Sequence, residues 1–171
     1  HSYAEMKTRN TNFALLVSEK FTEPFKEPIR YGQHIASLAN MLGGGILVQR
    51  FGDLLDGRRS TPDRIKSSII TPTLTCATPG DLSLVIPYRQ MTSIIEMLKA
   101  LDKLCPGTAS RYTLLYGIEV KFYSARVKLT NEFETEGVKN LFAIGDGAGV
   151  TRGLIQASAS GISVARTICA R

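Results

Sequence analysis

Residues 138–165, VKNLFAIGDGAGVTRGLIQASASGISVA, constrain this chain more than any other stretch. The apolar run Leu141 to Ile144, ending in glycine, predicts a buried strand. Gly145-Asp146-Gly147-Ala148-Gly149 then predicts a loop in which glycine permits positive φ and a close approach to the main chain. A helix is expected from about Thr151. Its small residues Ala157, Gly161 and Ala165 recur every fourth position and share one stripe, which lets the helix lie close against a neighbour. The first amides of a helix lack internal partners, and the helix dipole adds partial positive charge there. The amides of Thr151, Arg152, Gly153 and Leu154 are therefore expected to suit a phosphate or another anionic group. An ionised Asp146 only accepts hydrogen bonds, so a sugar-type hydroxyl is its natural partner; such a bond contributes roughly 1.5–3 kcal/mol. The competing reading of Asp146 is a helix cap.

The spacing excludes the commoner nucleotide loops. Counted from Gly145, G-x-G-x-x-G needs glycine where Val150 stands; counted from Gly147, it needs glycine at Arg152. The lysine of a G-x-x-x-x-G-K-[ST] loop is missing as well.

Composition narrows the classes further. With 43% hydrophobic and 21% charged residues in 171, the chain is expected to build one ordinary globular core. No apolar run is long enough to span a bilayer, so no membrane partner is expected. The net charge of +6 is spread over lysines and arginines with acids between them. Without a basic ladder interleaved with aromatics, nucleic acid is not expected as a partner. Cys76, Cys105 and Cys169 lie far apart and form no C-x-x-C. That favours a reducing, cytoplasmic setting over a disulfide framework or a zinc site. His34 has no histidine near it and reads as structural.

Taken in order, residues 1–11 are polar and expected to fray, and His1 in place of methionine suggests a tag remnant on an excised piece. Phe13 to Val17 predicts a strand, and Thr22 to Pro28 a loop. Tyr31 to Leu42 predicts a helix with Ile35, Leu38, Ala39 and Leu42 on one face, stopped by Gly43-Gly44-Gly45. Ile46 to Val48 predicts a strand. Thr61-Pro62-Asp63 has the form of a helix start: capping hydroxyl, proline, then acid. Just before it, Arg58 and Arg59 form either an anion clamp or an ordinary basic turn. Ile69-Ile70 and Leu82 to Pro87 suit strands joined by a turn. Tyr88 to Leu104 predicts a helix with Ile94, Leu98, Leu101 and Cys105 on one face; Ser93 with Glu96 would form a capping box if the helix began at Ser93 instead. Tyr88 and Arg89 stand at its entry, either to orient an aromatic or anionic ligand or simply to pack. Leu114 to Tyr123 alternates as a half-buried strand, and Val127 to Leu129 is expected to pair with it.

The run NLFAIGDGAGVTRGLIQASASGISVAR resembles the last FAD-contacting motif of flavoproteins built on two dinucleotide-binding domains. Together with FALLV, ANMLGGG, GRRSTP, TPGDLSLVIPYR and LLYGIEVKFYS, it makes residues 12–169 resemble the C-terminal portion of a bacterial family of FAD-dependent proteins, or NAD(FAD)-utilising dehydrogenases. The resemblance implies an α+β chain: a middle, substrate-side domain over 12–132 with a mixed sheet and packed helices, then an FAD-binding strand, glycine loop and helix over 133–171. It implies that Asp146 holds the ribitol of FAD, that Gly145, Gly147 and Gly149 permit close approach, and that Thr151, Arg152, Gly153 and Leu154 face the pyrophosphate or flavin edge. It further implies flavin-dependent oxidoreductase chemistry on an unidentified small molecule. The family's glycine-rich ADP-binding fingerprint is absent here. The chain is thus expected not to hold FAD or to catalyse alone, to need a separate N-terminal FAD-binding domain as partner, and to dimerise through an uncovered 133–171 segment. The alternative is a non-redox α+β module that captures an anionic partner through Arg58, Arg59 and Arg89.

Overall fold

The computed structural model describes residue 5, residues 7–122 and residues 126–171. The expectations for His1 and its immediate neighbours, and for Tyr123 at a strand end, lie outside the described residues. The chain is α+β and packs as two compact units, His1–Val120 and Lys121–Arg171.

The first unit is built around one short strand. Helix α1, Pro28–Gly43, leads to strand β1, Leu47–Arg50, and directly into helix α2, Phe51–Leu55. Helix α3, Pro62–Lys66, strand β2, Thr78–Pro79, helix α4, Tyr88–Asp102, and strand β3, Leu114–Gly117, complete it. The sheet order is β2-β1-β3, with β2 parallel and β3 antiparallel to β1. Leu47, Val48 and Gln49 are all buried, so β1 is covered on both faces. Leu47 packs with Phe51, Leu54, Leu82, Val85, Met91, Leu98 and Ala39 in one cluster. Burying a leucine such as Leu98 contributes about 1.5–3 kcal/mol.

Several expected elements form for the expected reasons. Pro28 occupies the first turn of α1, where its missing N–H costs nothing, so the helix begins inside the stretch expected as loop. At the other end, Gly44 adopts φ 67° and donates its N–H to the Asn40 carbonyl. Gly43 has a separate job: a Cβ there would lie 2.5 Å from Leu47 Cδ2. Thr61 caps α3, its hydroxyl accepting the Arg64 N–H.

Other expected elements do not form. Residues 13–17 are not a strand; they have no regular secondary structure, and of the five Leu15 packs against the core. Ile69-Ile70 is a bend. Residues 82–84 make a 3-10 turn, because the Asp81 carboxylate accepts both the N–H and the hydroxyl of Ser83. Helix α4 begins at Tyr88 as expected, behind Pro87, so the conditional Ser93/Glu96 capping box has no place, and the Ser93 hydroxyl donates back to the Arg89 carbonyl. Leu42 falls on the exposed side of α1, and Cys105 lies beyond the end of α4, exposed. β3 stops at Gly117, six residues short of its expected end.

In the second unit, Leu129 bridges Thr135 rather than the 114–117 strand, and Glu134 bridges Phe142. The Val127 N–H donates to the Ala148 carbonyl, which ties 127–130 to the glycine-aspartate turn. The expected buried strand at 141–144 is reduced to that single bridge, with Leu141 50% and Ile144 41% exposed. A 3-10 turn, Asp146–Ala148, precedes helix α5, Leu154–Cys169. The face of α5 turned into the unit carries Ala157, Ser160, Gly161 and Val164, while Ala165 is exposed. The expected fourth-position stripe therefore ends at Gly161 and continues through Ser160 and Val164.

Two substitutions test this packing. Gly80→Ala places a Cβ 2.8 Å from Leu47 Cδ2 in the closed core, and should cost about 1–3 kcal/mol in urea unfolding. At Gly161 a Cβ would sit 3.6 Å from Ile144 Cδ1. Alanine should therefore be neutral or stabilising there, while leucine should cost about 1–3 kcal/mol.

Candidate functional site

The glycine-aspartate loop is built by backbone geometry and one buried hydroxyl. Gly145 adopts φ 73°, ψ −166°, a region open essentially to glycine, and Gly149 adopts φ 69°. Gly147 is not in the left-handed region, and a Cβ there would meet nothing within 4 Å. The Gly145 N–H donates to Ser160 Oγ at 3.2 Å, and the Ser160 hydroxyl donates to the Ala157 carbonyl at 2.7 Å. Buried Ser160 thus pins the loop to the second turn of α5. Sequence reasoning passed over Ser160, although its place one residue before Gly161 put it on the inward face.

Asp146 is exposed at the start of the 3-10 turn, and its Oδ1 accepts the Thr151 hydroxyl at 2.5 Å. Thr151, Arg152 and Gly153 are not helical; Gly153 is extended and precedes the first helical residue, Leu154. No side chain caps this end. The outward amides are accordingly those of Leu154, Ile155 and Gln156, a shift of about three residues from the expected start. Leu154 and Ile155 are 88% and 86% exposed. Asp146 closes the loop onto Thr151 and does not cap α5.

In the first unit, the four residues singled out from sequence are not joined. Tyr88 is 84% exposed and Arg89 is exposed at the start of α4. Arg59 is exposed, with its carbonyl accepting from the Arg64 guanidinium. Among the described residues, no hydrogen bond or ion pair links Arg58 or Arg59 to Tyr88 or Arg89. Arg58 instead turns toward acids: its Nε donates to Asp53 Oδ1 at 3.0 Å, and a terminal nitrogen lies 3.1 Å from Asp56 Oδ2.

Those acids belong to a polar network that the sequence did not reveal. Asp53 is 1% exposed, and its Oδ2 accepts the Ser60 hydroxyl at 2.8 Å. Ser60 Oγ in turn accepts the Arg50 N–H at 2.9 Å. Gln49, 0% exposed, donates to the Arg58 carbonyl and to Asp81 Oδ1 and accepts the Leu82 N–H. Asp56 Oδ2 also accepts from Arg111 at 2.5 Å. The Arg111 guanidinium beside Asp56 holds its carboxyl below the usual carboxylate range, and the charges of Arg58 and Arg50 add to the effect. Arg111 comes from 55 residues away, too far for local spacing to announce the pair. Among the described residues, no group of histidine, cysteine, aspartate or glutamate could hold a metal ion, and no helix is long and apolar enough to cross a membrane.

Asp56 gives a signed pH prediction. Its folded pKa lies below the unfolded value of about 3.9. Its contribution to stability is therefore complete above that value and disappears as pH falls through the folded pKa. Glu134 behaves alike, held down first by its hydrogen bond from Arg171 and then by the Asn140 N–H. Asp56→Asn should therefore reduce stability at pH 7 and flatten its fall below about pH 4, followed by urea unfolding across pH 2–7. The loop glycines should separate: Gly145→Ala costs about 1–3 kcal/mol by strain, whereas Gly147→Ala stays within about 0.5 kcal/mol.

No protein-family model matches the sequence. An uncharacterized protein of Clostridium beijerinckii is 33% identical over 178 aligned positions, covering 98% of this chain and 32% of the relative. The chain thus spans about a third of the length of the curated relative it matches.

Proposed function

We propose that this chain is part of a flavin-dependent oxidoreductase and that the loop from Gly145 to Leu154 contacts FAD in the longer protein. The observation that carries this reading is the loop itself. Two glycines at positive φ flank an exposed carboxylate at Asp146, eight residues ahead of the uncapped start of α5 at Leu154. Asp146 Oδ1 accepts from Thr151, and the exposed carboxylate supports the reading by leaving capacity to accept from a ribitol hydroxyl. The open space at Gly147 admits a ligand edge, and the amides of Leu154 to Gln156 take the place expected of Thr151 to Gly153 beside an anionic group. These residues fit the group. FAD supplies the redox chemistry when bound, and this chain's residues bind and orient it.

The exposed Leu154 and Ile155 and the length of the relative support a partner: the remaining, dinucleotide-binding part of the same protein. A cytoplasmic setting and an organic substrate belong to the same proposal.

Flavin content tests it. The 171-residue chain alone should stay colourless after incubation with FAD and desalting, because the rest of the cradle lies elsewhere. The longer protein should copurify with flavin absorbance. Asp146→Asn and Gly147→Val in it should lower flavin occupancy without lowering the unfolding midpoint of the flavin-free form. A longer protein without flavin, or full occupancy in both variants, overturns the reading.

A further inference from the structure

The glycine at the head of the 145–149 loop is held on both of its polar groups. Its N–H donates to Ser160 Oγ at 3.2 Å, and its carbonyl accepts the Val150 N–H at 3.3 Å. Two residues of α5 form the seat beneath it. A Cβ at Gly145 would lie 3.8 Å from Ala157 Cβ, and the Ser160 hydroxyl donates to the Ala157 carbonyl at 2.7 Å. Glycine has more backbone freedom than any other residue, so the conformation at φ 73°, ψ −166° needs a hold from outside the loop. Ser160 Oγ supplies that hold on the N–H side. At 5% exposure, Ser160 works through the loop and not on a ligand directly. Asp146 follows Gly145 in the chain, and its carboxylate is fixed at a second point by the Thr151 hydroxyl.

We propose that Ser160 is a positioning residue for ligand binding at this loop: by holding the Gly145 N–H, it sets where the Asp146 carboxylate meets a hydroxyl of the bound molecule. The role rests on the flavin contact proposed for the loop. A binding group performs best when its own conformation is locked by hydrogen bonds behind it. Serine does this with one atom, since its oxygen accepts from Gly145 while its proton goes to Ala157. Alanine removes both bonds. Cysteine keeps the size but accepts weakly. Threonine keeps the hydroxyl, which from a helix still reaches the carbonyl three residues back. Without the hold, the peptide before Asp146 spreads over the conformations open to glycine. The fraction of loops ready to bind then falls, and the apparent affinity falls with it.

Two measurements test this role. In the 171-residue chain without flavin, the Gly145 amide should exchange with solvent about tenfold slower than the exposed Gly147 amide, each relative to its intrinsic rate. Ser160→Ala should abolish that difference and Ser160→Thr should keep it. In the longer protein, titration of the flavin-free form with FAD should show Ser160→Ala binding about tenfold more weakly and Ser160→Thr close to wild type. Val164→Ala is the control. It empties part of the same buried face of α5, so it lowers the unfolding midpoint, but it leaves the hydrogen bonds of the loop in place and should bind FAD as wild type does. Should Ser160→Ala fail to fold, Ser160→Cys should show the same loss of affinity. Equal losses in Ser160→Ala and Val164→Ala, or a wild-type Gly145 amide that exchanges as fast as that of Gly147, would overturn the proposal. Equal affinity in a folded Ser160→Ala variant and wild type overturns the positioning role alone, whereas a wild-type longer protein that binds no FAD overturns the flavin reading and this role together.

Discussion

The first unit depends on burying a polar side chain in the middle of its sheet. Gln49 is closed off from water in the central strand, where an unsatisfied amide would cost about 1–3 kcal/mol. It is satisfied on both ends: by the Leu82 N–H on its oxygen, and by the Arg58 carbonyl and Asp81 on its nitrogen. Those three partners come from the turn before α3 and the turn before α4. A single amide thereby fixes where two connections cross the strand. Leu47 and Phe51 supply apolar burial around it, but the hydrogen bonds decide which loop sits where.

The same logic extends outward through charge. Ser60 Oγ accepts from the backbone of Arg50 while its hydroxyl donates to Asp53, and Asp53 takes Arg58. Arg58 reaches Asp56, and Asp56 takes Arg111. Ser60 and Asp53 are buried, whereas Arg58, Asp56 and Arg111 stand at the surface, so the inner members serve the fold and the outer ones face solvent. An exposed pair such as Arg111–Asp56 contributes little to stability by itself. Its value lies in direction: it aims guanidinium groups at one patch.

The second unit uses backbone geometry instead. Positive φ at Gly145 and Gly149, and the grip of Ser160 on the Gly145 amide, set the loop. Little apolar surface is closed over it, and Leu154 and Ile155 stand in solvent. An α5 with apolar residues on both its inner and outer sides has the pattern of a helix covered on both sides.

Local chemistry made much of this legible from sequence: the helix stop at Gly44, the Thr61 cap, the helix at 88–102, and the glycine-aspartate turn. Each depends on residues within a few positions of one another, where φ preference and capping act. The strands were less legible. Apolar alternation at 114–122 signals burial, but a strand exists only where a neighbour pairs with it, and pairing with β1 ends at Gly117. Residues 82–84 looked like strand until the Asp81 side chain took the Ser83 N–H. The arginine cluster was hidden for the same reason. Arg58 was visible as a charge, but its partner Asp53 was sequestered by a fold that also brought Arg111 across 55 residues to Asp56. Sequence alone determined the turns, the caps and the class of the fold, because those depend on short-range conformational preference. Tertiary structure decided which charges meet and which helix face is inward, because those depend on distances that close only when the chain packs.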